Sequence, residues 1–186
     1  FVSRKFQERV LGESKRLAAL GLNVSSTPVE LVNPLNEELN VMRLSLIPWL
    51  IKNVEHNSRH GNSAGRCFEL GFGHFQLPEA SSGAPRYGQE GRLGMAFWGE
   101  SASLWQKTPP LPAVTMKGVV DNLALALGFA NMASGAGAQL RWVQINGKDV
   151  PEFLHPGQAV AGDLNGKYIG FIGSLHPVLA EELKIR

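Results

Sequence analysis

Two charges stand where charges are costly. Arg43 follows Met42 just ahead of an apolar run, and Glu69 sits inside CFELGFGHF, a stretch that begins with strand-like alternation. A buried charge needs a partner, because leaving it unpaired is expensive. Arg43 and Glu69 are therefore expected to pair with each other or with backbone groups as structural anchors, or to help form a subunit interface.

Other residue pairs suggest chemistry less well. His56 and His60 are four apart on a helical stretch, so both could face one metal ion. The glutamate-assisted zinc motif needs Glu directly after the first His. Asn57 holds that position, so a solvated helix end is expected. His155 precedes Pro156, and His176 precedes Pro177. The residue before proline is pushed out of the helical region, which favours a turn or a helix start over a catalytic base. Gly71-Phe72-Gly73 lacks the third glycine and the following helix of a dinucleotide loop, so a glycine bulge beyond a strand is expected. No Gly-Lys-Ser/Thr phosphate loop occurs. The single cysteine, Cys67, excludes an internal disulfide and suits a reducing compartment.

The chain has 186 residues, 44% of them hydrophobic, enough for one packed domain spanning 1–186. A net charge of +2 gives no argument for nucleic-acid binding. No apolar run approaches the roughly 20 residues that span a bilayer, so no membrane partner is expected. The start at Phe1, inside a plausible strand, suggests a fragment of a longer chain.

The elements that would position these residues follow from period and punctuation. Ser3 caps a short helix carrying Phe6 and Val10, and Gly12 stops it. A second short helix is expected over 15–22. Residues 29–32 read as a short strand turned by Asn33-Pro34. Residues 45–60 form the clearest helix. Pro48 sits in its first turn, and Leu46, Ile47, Leu50, Ile51 and Val54 make its apolar stripe. Residues 66–70 alternate as a strand, with Cys67 and Glu69 on one face and Phe68 and Leu70 on the other. Residues 78–91, rich in Pro, Gly and Ser, read as a mobile loop, and 93–98 as a strand. Residues 116–127 read as a helix burying Val119, Val120, Leu123, Ala126 and Leu127. Asn146-Gly147 and Asn165-Gly166 are hairpin signals. Pro177 opens a last helix with Leu179 and Leu183 inward. Strands joined mostly by hairpins, with helices set apart, predict an α+β fold: an antiparallel β-sheet flanked by helices.

Several stretches, in order, resemble the synthetase core module of the bacterial phenylalanine–tRNA ligase β subunit family. FVSRK opens it. VELVNPLNEELNVMRLSLIPWLIKNVEHNSRHG is similar to the segment leading into the second class II motif, and CFELGFGHF to that motif's strand. RLGMAFWG resembles the next core strand, MKGVVDNLALALG the helix with the family's Lys-Gly pair (Lys117-Gly118), and FLHPGQAVAGDLNGKYIGFIGSLHPVLAEEL the two His-Pro signatures around an Asn-Gly hairpin. The sequence departs from the family at Gly73-His74, Trp49 and Met116.

The resemblance implies a class II aminoacyl-tRNA synthetase-like fold without an adenylating site. Class II catalysis uses an arginine soon after the second-motif strand and another in a glycine-rich third motif. The next arginine after Phe75 is Arg86, in an unmatched context, and no Gly-x-Gly-x-x-Arg occurs. The family further implies a cytoplasmic α2β2 heterotetramer whose α subunit uses ATP and Mg2+ to load phenylalanine on its tRNA. This module would support α, with no cofactor, metal or catalytic residue of its own, and tRNA would be met through the complex. Asn33, Pro34, Met42, Arg43, Pro48, Glu69, Gly71, His155, Pro156, His176 and Pro177 are the expected structural or interface positions. The alternative is a stand-alone binding domain on the same fold, which predicts a pocket with convergent polar groups beside Glu69 and Arg43.

Overall fold

A computed structural model describes residues 1–12, 28–34, 36–77, 83, 85–99, 112–129, 140–145, 147 and 149–185. Helix α1 (Arg4–Leu11) starts where Ser3 accepts from the Phe6 N–H, and it ends at Gly12, whose φ of 66° suits a residue without Cβ. Gln7, Val10 and Leu11 are its buried residues, with Phe6 packed at the edge. The helix expected over 15–22 lies outside the described residues. Val41 then bridges to Val2 on one side and Glu30 on the other. The strand expected at 29–32 is thus one isolated bridge, and Val32 is fully exposed.

Helix α2 (Ile47–Arg59) follows, with Pro48 in its first turn and Pro48, Leu50, Ile51 and Val54 buried. Trp49, Lys52, Asn53 and His56 are exposed, as the helical period requires. Strands β1 (Gly65–Leu77) and β2 (Arg86–Trp98) form a long antiparallel ribbon, paired without interruption from Gly65↔Trp98 to Leu77↔Arg86. This corrects two expectations. Gly71 and Gly73 make no bulge, because the strand continues through them in register. The stretch from Arg86 to Gly91 is strand rather than loop. Gly88 marks a close approach, since a Cβ there would meet the Phe75 ring at 2.5 Å.

Helix α3 (Pro112–Ala126) is apolar on nearly every side, and Gly128 (φ 79°) follows it. The expected buried stripe is not buried. Ala124 is buried, while Leu123, Leu125 and Leu127 are exposed. Apolar residues all round the helix carry no information about which face turns inward. Strands β3 (Leu140–Gln144), β4 (Leu154–Leu164) and β5 (Lys167–Leu175) form a second antiparallel sheet in the order β3-β4-β5. Asn165 and Gly166, both at positive φ (53° and 80°), make the predicted tight turn. The signal at Asn146-Gly147 gives no tight hairpin, because Gln144 pairs with Val160. Val150 and Pro151 are buried in between, and Pro151 has no N–H for a ladder.

Helix α4 (Pro177–Glu182) closes the described chain. Val10, Leu11, Ile51, Val150, Phe153, Leu154, Ala159, Leu179 and Leu183 form the core, joining α1, α2, β4 and α4. The fold is α+β, with antiparallel sheets flanked by helices. It has two sheets where one was expected. A cavity of about 400 Å3 separates β2 from β5 and is lined by Leu50, Met95, Met116, Val120, Trp142 and Phe171. No helix among the described residues is long and apolar enough to cross a membrane.

Candidate functional site

The inner face of the ribbon is organised around Arg43. Its Nη1 pairs with Glu69, and its Nε donates to the Phe72 carbonyl at 3.1 Å. The Arg43 carbonyl accepts from the His74 N–H at 2.8 Å. One residue thus holds β1 at three points. The Arg43 and Glu69 side chains are 21% and 29% exposed, so both charges are largely withdrawn from water. Gly71 makes room for this arrangement, since a Cβ there would run into Arg43 Nη2. The Arg43 guanidinium fills the space where a pocket beside Glu69 would have to form, and the 400 Å3 cavity is lined by other residues.

The next residue extends the clamp. The Leu44 N–H donates to Gln7 Oε1 at 2.8 Å, tying the segment to α1. Gln7 is 1% exposed, and its Nε2 has no partner among the described residues. Sequence reading missed Gln7. The signal was available, because Gln7 shares a helical face with Val10 and Leu11 at spacings of three and four. His74 sits beside this clamp, and burial holds its pKa below the ordinary histidine value. Burial likewise raises the Cys67 thiol, which makes it a poor nucleophile.

The two His-Pro pairs form a second group. His155 Nδ1 accepts from the Gly157 N–H at 3.1 Å, and His176 Nδ1 accepts from the Val178 N–H at 3.3 Å. Each ring therefore reaches across its proline to the next free N–H. The rings stack with centroids 6.5 Å apart. At His176 this caps α4, whose first residue, Pro177, has no N–H to satisfy. His176→Ala should cost about 1 kcal/mol, the usual loss for a removed N-cap. His176→Asn should retain most of the stability. Urea unfolding of the two variants checks this.

The remaining predicted positions are dispersed. Asn33 and Pro34 are exposed at a bend, Met42 is half-buried with its N–H on the Val29 carbonyl, and Pro48 is buried in α2. His56 and His60 are exposed, and their rings lie 4.1 Å apart, with His60 Nδ1 on the His56 carbonyl. Among the described residues, no three His, Cys, Asp or Glu side chains gather as metal ligands. Asp121, which sequence reading did not single out, pairs with Lys117 and accepts from Trp142 Nε1 at 2.8 Å, joining α3 to β3.

The family model for the phenylalanyl-tRNA synthetase beta chain CLM domain matches residues 1–186. The chain belongs to this family. It is 40% identical over 188 residues to the phenylalanine–tRNA ligase beta subunit of Bdellovibrio bacteriovorus, covering all of this chain and 22% of that protein. The beta subunit of Listeria innocua is 32% identical over 170 residues, covering 91% of this chain and 19% of that protein. That of Pasteurella multocida is 33% identical over 155 residues, covering 82% and 18%. The chain thus spans about a fifth of the length of these relatives. Within the CLM domain, the Arg43–Glu69 clamp and the paired His-Pro turns are arrangements that fix backbone.

Proposed function

We propose that this CLM domain is the non-catalytic core of a phenylalanine–tRNA ligase β subunit, built on a class II synthetase-like fold. Its work is to support the catalytic α subunit in an α2β2 assembly. In that assembly α uses ATP and Mg2+ to activate phenylalanine and load it on its tRNA. The observation that carries this reading is the family match across every residue of the chain. Two features agree with it. Adenylation needs cations aimed at the phosphate as charge develops, and the chain offers neither class II arginine in a matching context. The inner face of the ribbon is occupied by the arginine that clamps it.

Co-expression of the natural full-length chain with its α subunit, followed by size exclusion, tests the reading. Co-elution is expected, together with tRNA charging by the complex and no ATP–pyrophosphate exchange by the chain alone. Separate elution of two folded chains, or exchange activity without α, would overturn it.

A further inference from the structure

The end of α2 holds two imidazoles side by side. His56 lies in the last turn of the helix and His60 at its C-cap. Both are exposed, with ring centroids 4.1 Å apart and ring planes tilted by 33°. The His60 Nδ1 lies 2.7 Å from the His56 carbonyl oxygen. A carbonyl only accepts, so this nitrogen carries the proton and Nε2 keeps its lone pair. A ring N–H donating to a backbone carbonyl is the usual support behind a metal-ligating histidine, because it fixes the tautomer and the direction of the ring. Among the described residues, no hydrogen bond engages a nitrogen of the His56 ring. The other three of the five histidines are committed differently. His155 and His176 each use the Nδ1 lone pair on a backbone N–H, which puts the proton of the neutral ring on Nε2. The His74 Nδ1 is buried.

Distance and charge suit one ion between the pair. Zinc sits about 2.0–2.1 Å from an imidazole nitrogen, so two donors on one ion lie roughly 3 Å apart. Rings with centroids 4.1 Å apart reach that separation by small side-chain rotations. The last turn of a helix carries partial negative charge, which favours a cation. Arg59, between the two histidines in sequence, is paired with Glu55 at 2.6 Å. The glutamate missing after His56 would have been a general base, not a ligand. Imidazole suits Cu2+, Ni2+ and Zn2+, whereas Mg2+ and Ca2+ seek oxygen.

We propose that His56 and His60 chelate one transition-metal dication, His60 through Nε2, with water in the remaining positions and Cu2+ held more tightly than Zn2+. The ion cross-links the end of α2. That end leads into Asn62, whose side chain donates to Asn57 Oδ1 at 2.9 Å and whose carbonyl accepts from Trp98 Nε1 at 3.0 Å. Binding therefore stiffens the joint between α2 and the end of β2. The inference stands apart from the ligase reading.

The test uses the natural full-length chain, without a histidine tag and freed of metal by a chelator. Calorimetric titrations with Cu2+, Zn2+ and Mg2+, and the electron paramagnetic resonance spectrum of the Cu2+ form, are compared with those of His56→Ala and His60→Ala. Each variant should lose one Cu2+ and Zn2+ site per chain, or bind there at least tenfold more weakly, and should lose the imidazole nitrogen couplings of that site. His155→Ala should keep the site. If either alanine variant does not fold by circular dichroism, His56→Gln or His60→Gln decides in its place. Cu2+ and Zn2+ binding within a factor of two of the wild-type chain in both variants overturns the proposal. Loss in one variant alone shows a contact to a single ring and overturns chelation. Mg2+ binding as tight as that of Zn2+, and lost in both variants, overturns the choice of ion.

Discussion

Arg43→Ala should lower stability by about 2–3 kcal/mol, a loss visible as a melting temperature lower by roughly 4–12 °C. Three effects add. The Glu69 carboxylate, only 29% exposed, is left without its cation. The Phe72 carbonyl loses the Nε donor. The space beneath Gly71 empties. A fully buried pair broken on one side costs about 3–5 kcal/mol. Both groups here keep some solvent contact, which brings the figure down. Arg43→Lys should recover only part of the loss, because an ammonium cannot hold Glu69 and the Phe72 carbonyl with one rigid fork. Glu69→Ala placed on Arg43→Ala should cost little more, giving a coupling of about 1–2 kcal/mol in the double-mutant cycle. Strict additivity of the two single variants would show that the pair does not act as a unit.

That pairing was legible in the sequence because a charge in an apolar or strand-like stretch needs a counter-charge. The helix around Pro48, the Asn165-Gly166 turn and the start at Pro177 were legible for similar local reasons: proline and glycine fix backbone angles that few other residues adopt. What was not legible depended on neighbours distant in sequence. Gly88 and Gly91 look like loop punctuation until β1 is laid beside them, when both pair in register and the missing side chain of Gly88 makes room for the Phe75 ring. Alternation from Cys67 to Leu70 showed two faces but not which one turns inward. Hydrophobicity alone would have buried Phe68 and Leu70, and the structure exposes both. The inversion follows from the Arg43 clamp. Once Arg43 grips Glu69 and the Phe72 carbonyl, the period of two sends the even-numbered residues outward. Helix α3 failed for the opposite reason, since apolar residues on all sides leave no period to read.

Gly73→Ala is the sharper probe of the same clamp. A Cβ at Gly73 would lie 2.5 Å from the Leu44 carbonyl oxygen and 3.3 Å from its carbon. Both are backbone atoms, and they are not free to retreat. The Arg43 carbonyl receives the His74 N–H at 2.8 Å, and the Leu44 N–H is held by Gln7 at 2.8 Å. Relief therefore requires breaking one of these bonds or bending β1 away from the clamp. Overpacking against rigid neighbours costs about 1–3 kcal/mol, and a lost hydrogen bond adds about 1 kcal/mol. Gly73→Ala is expected at roughly 3 kcal/mol in chemical denaturation. Gly71→Ala supplies the contrast. Its shortest contact is the far end of the Arg43 side chain, with Leu46 Cδ2 next at 3.1 Å, so much of its cost is displacement of that side chain. In an Arg43→Ala background, Gly71→Ala should therefore become milder than in the wild-type chain, whereas Gly73→Ala should keep its full cost. A Gly73→Ala cost that fell equally in that background would place its strain on the arginine side chain rather than on the Leu44 backbone.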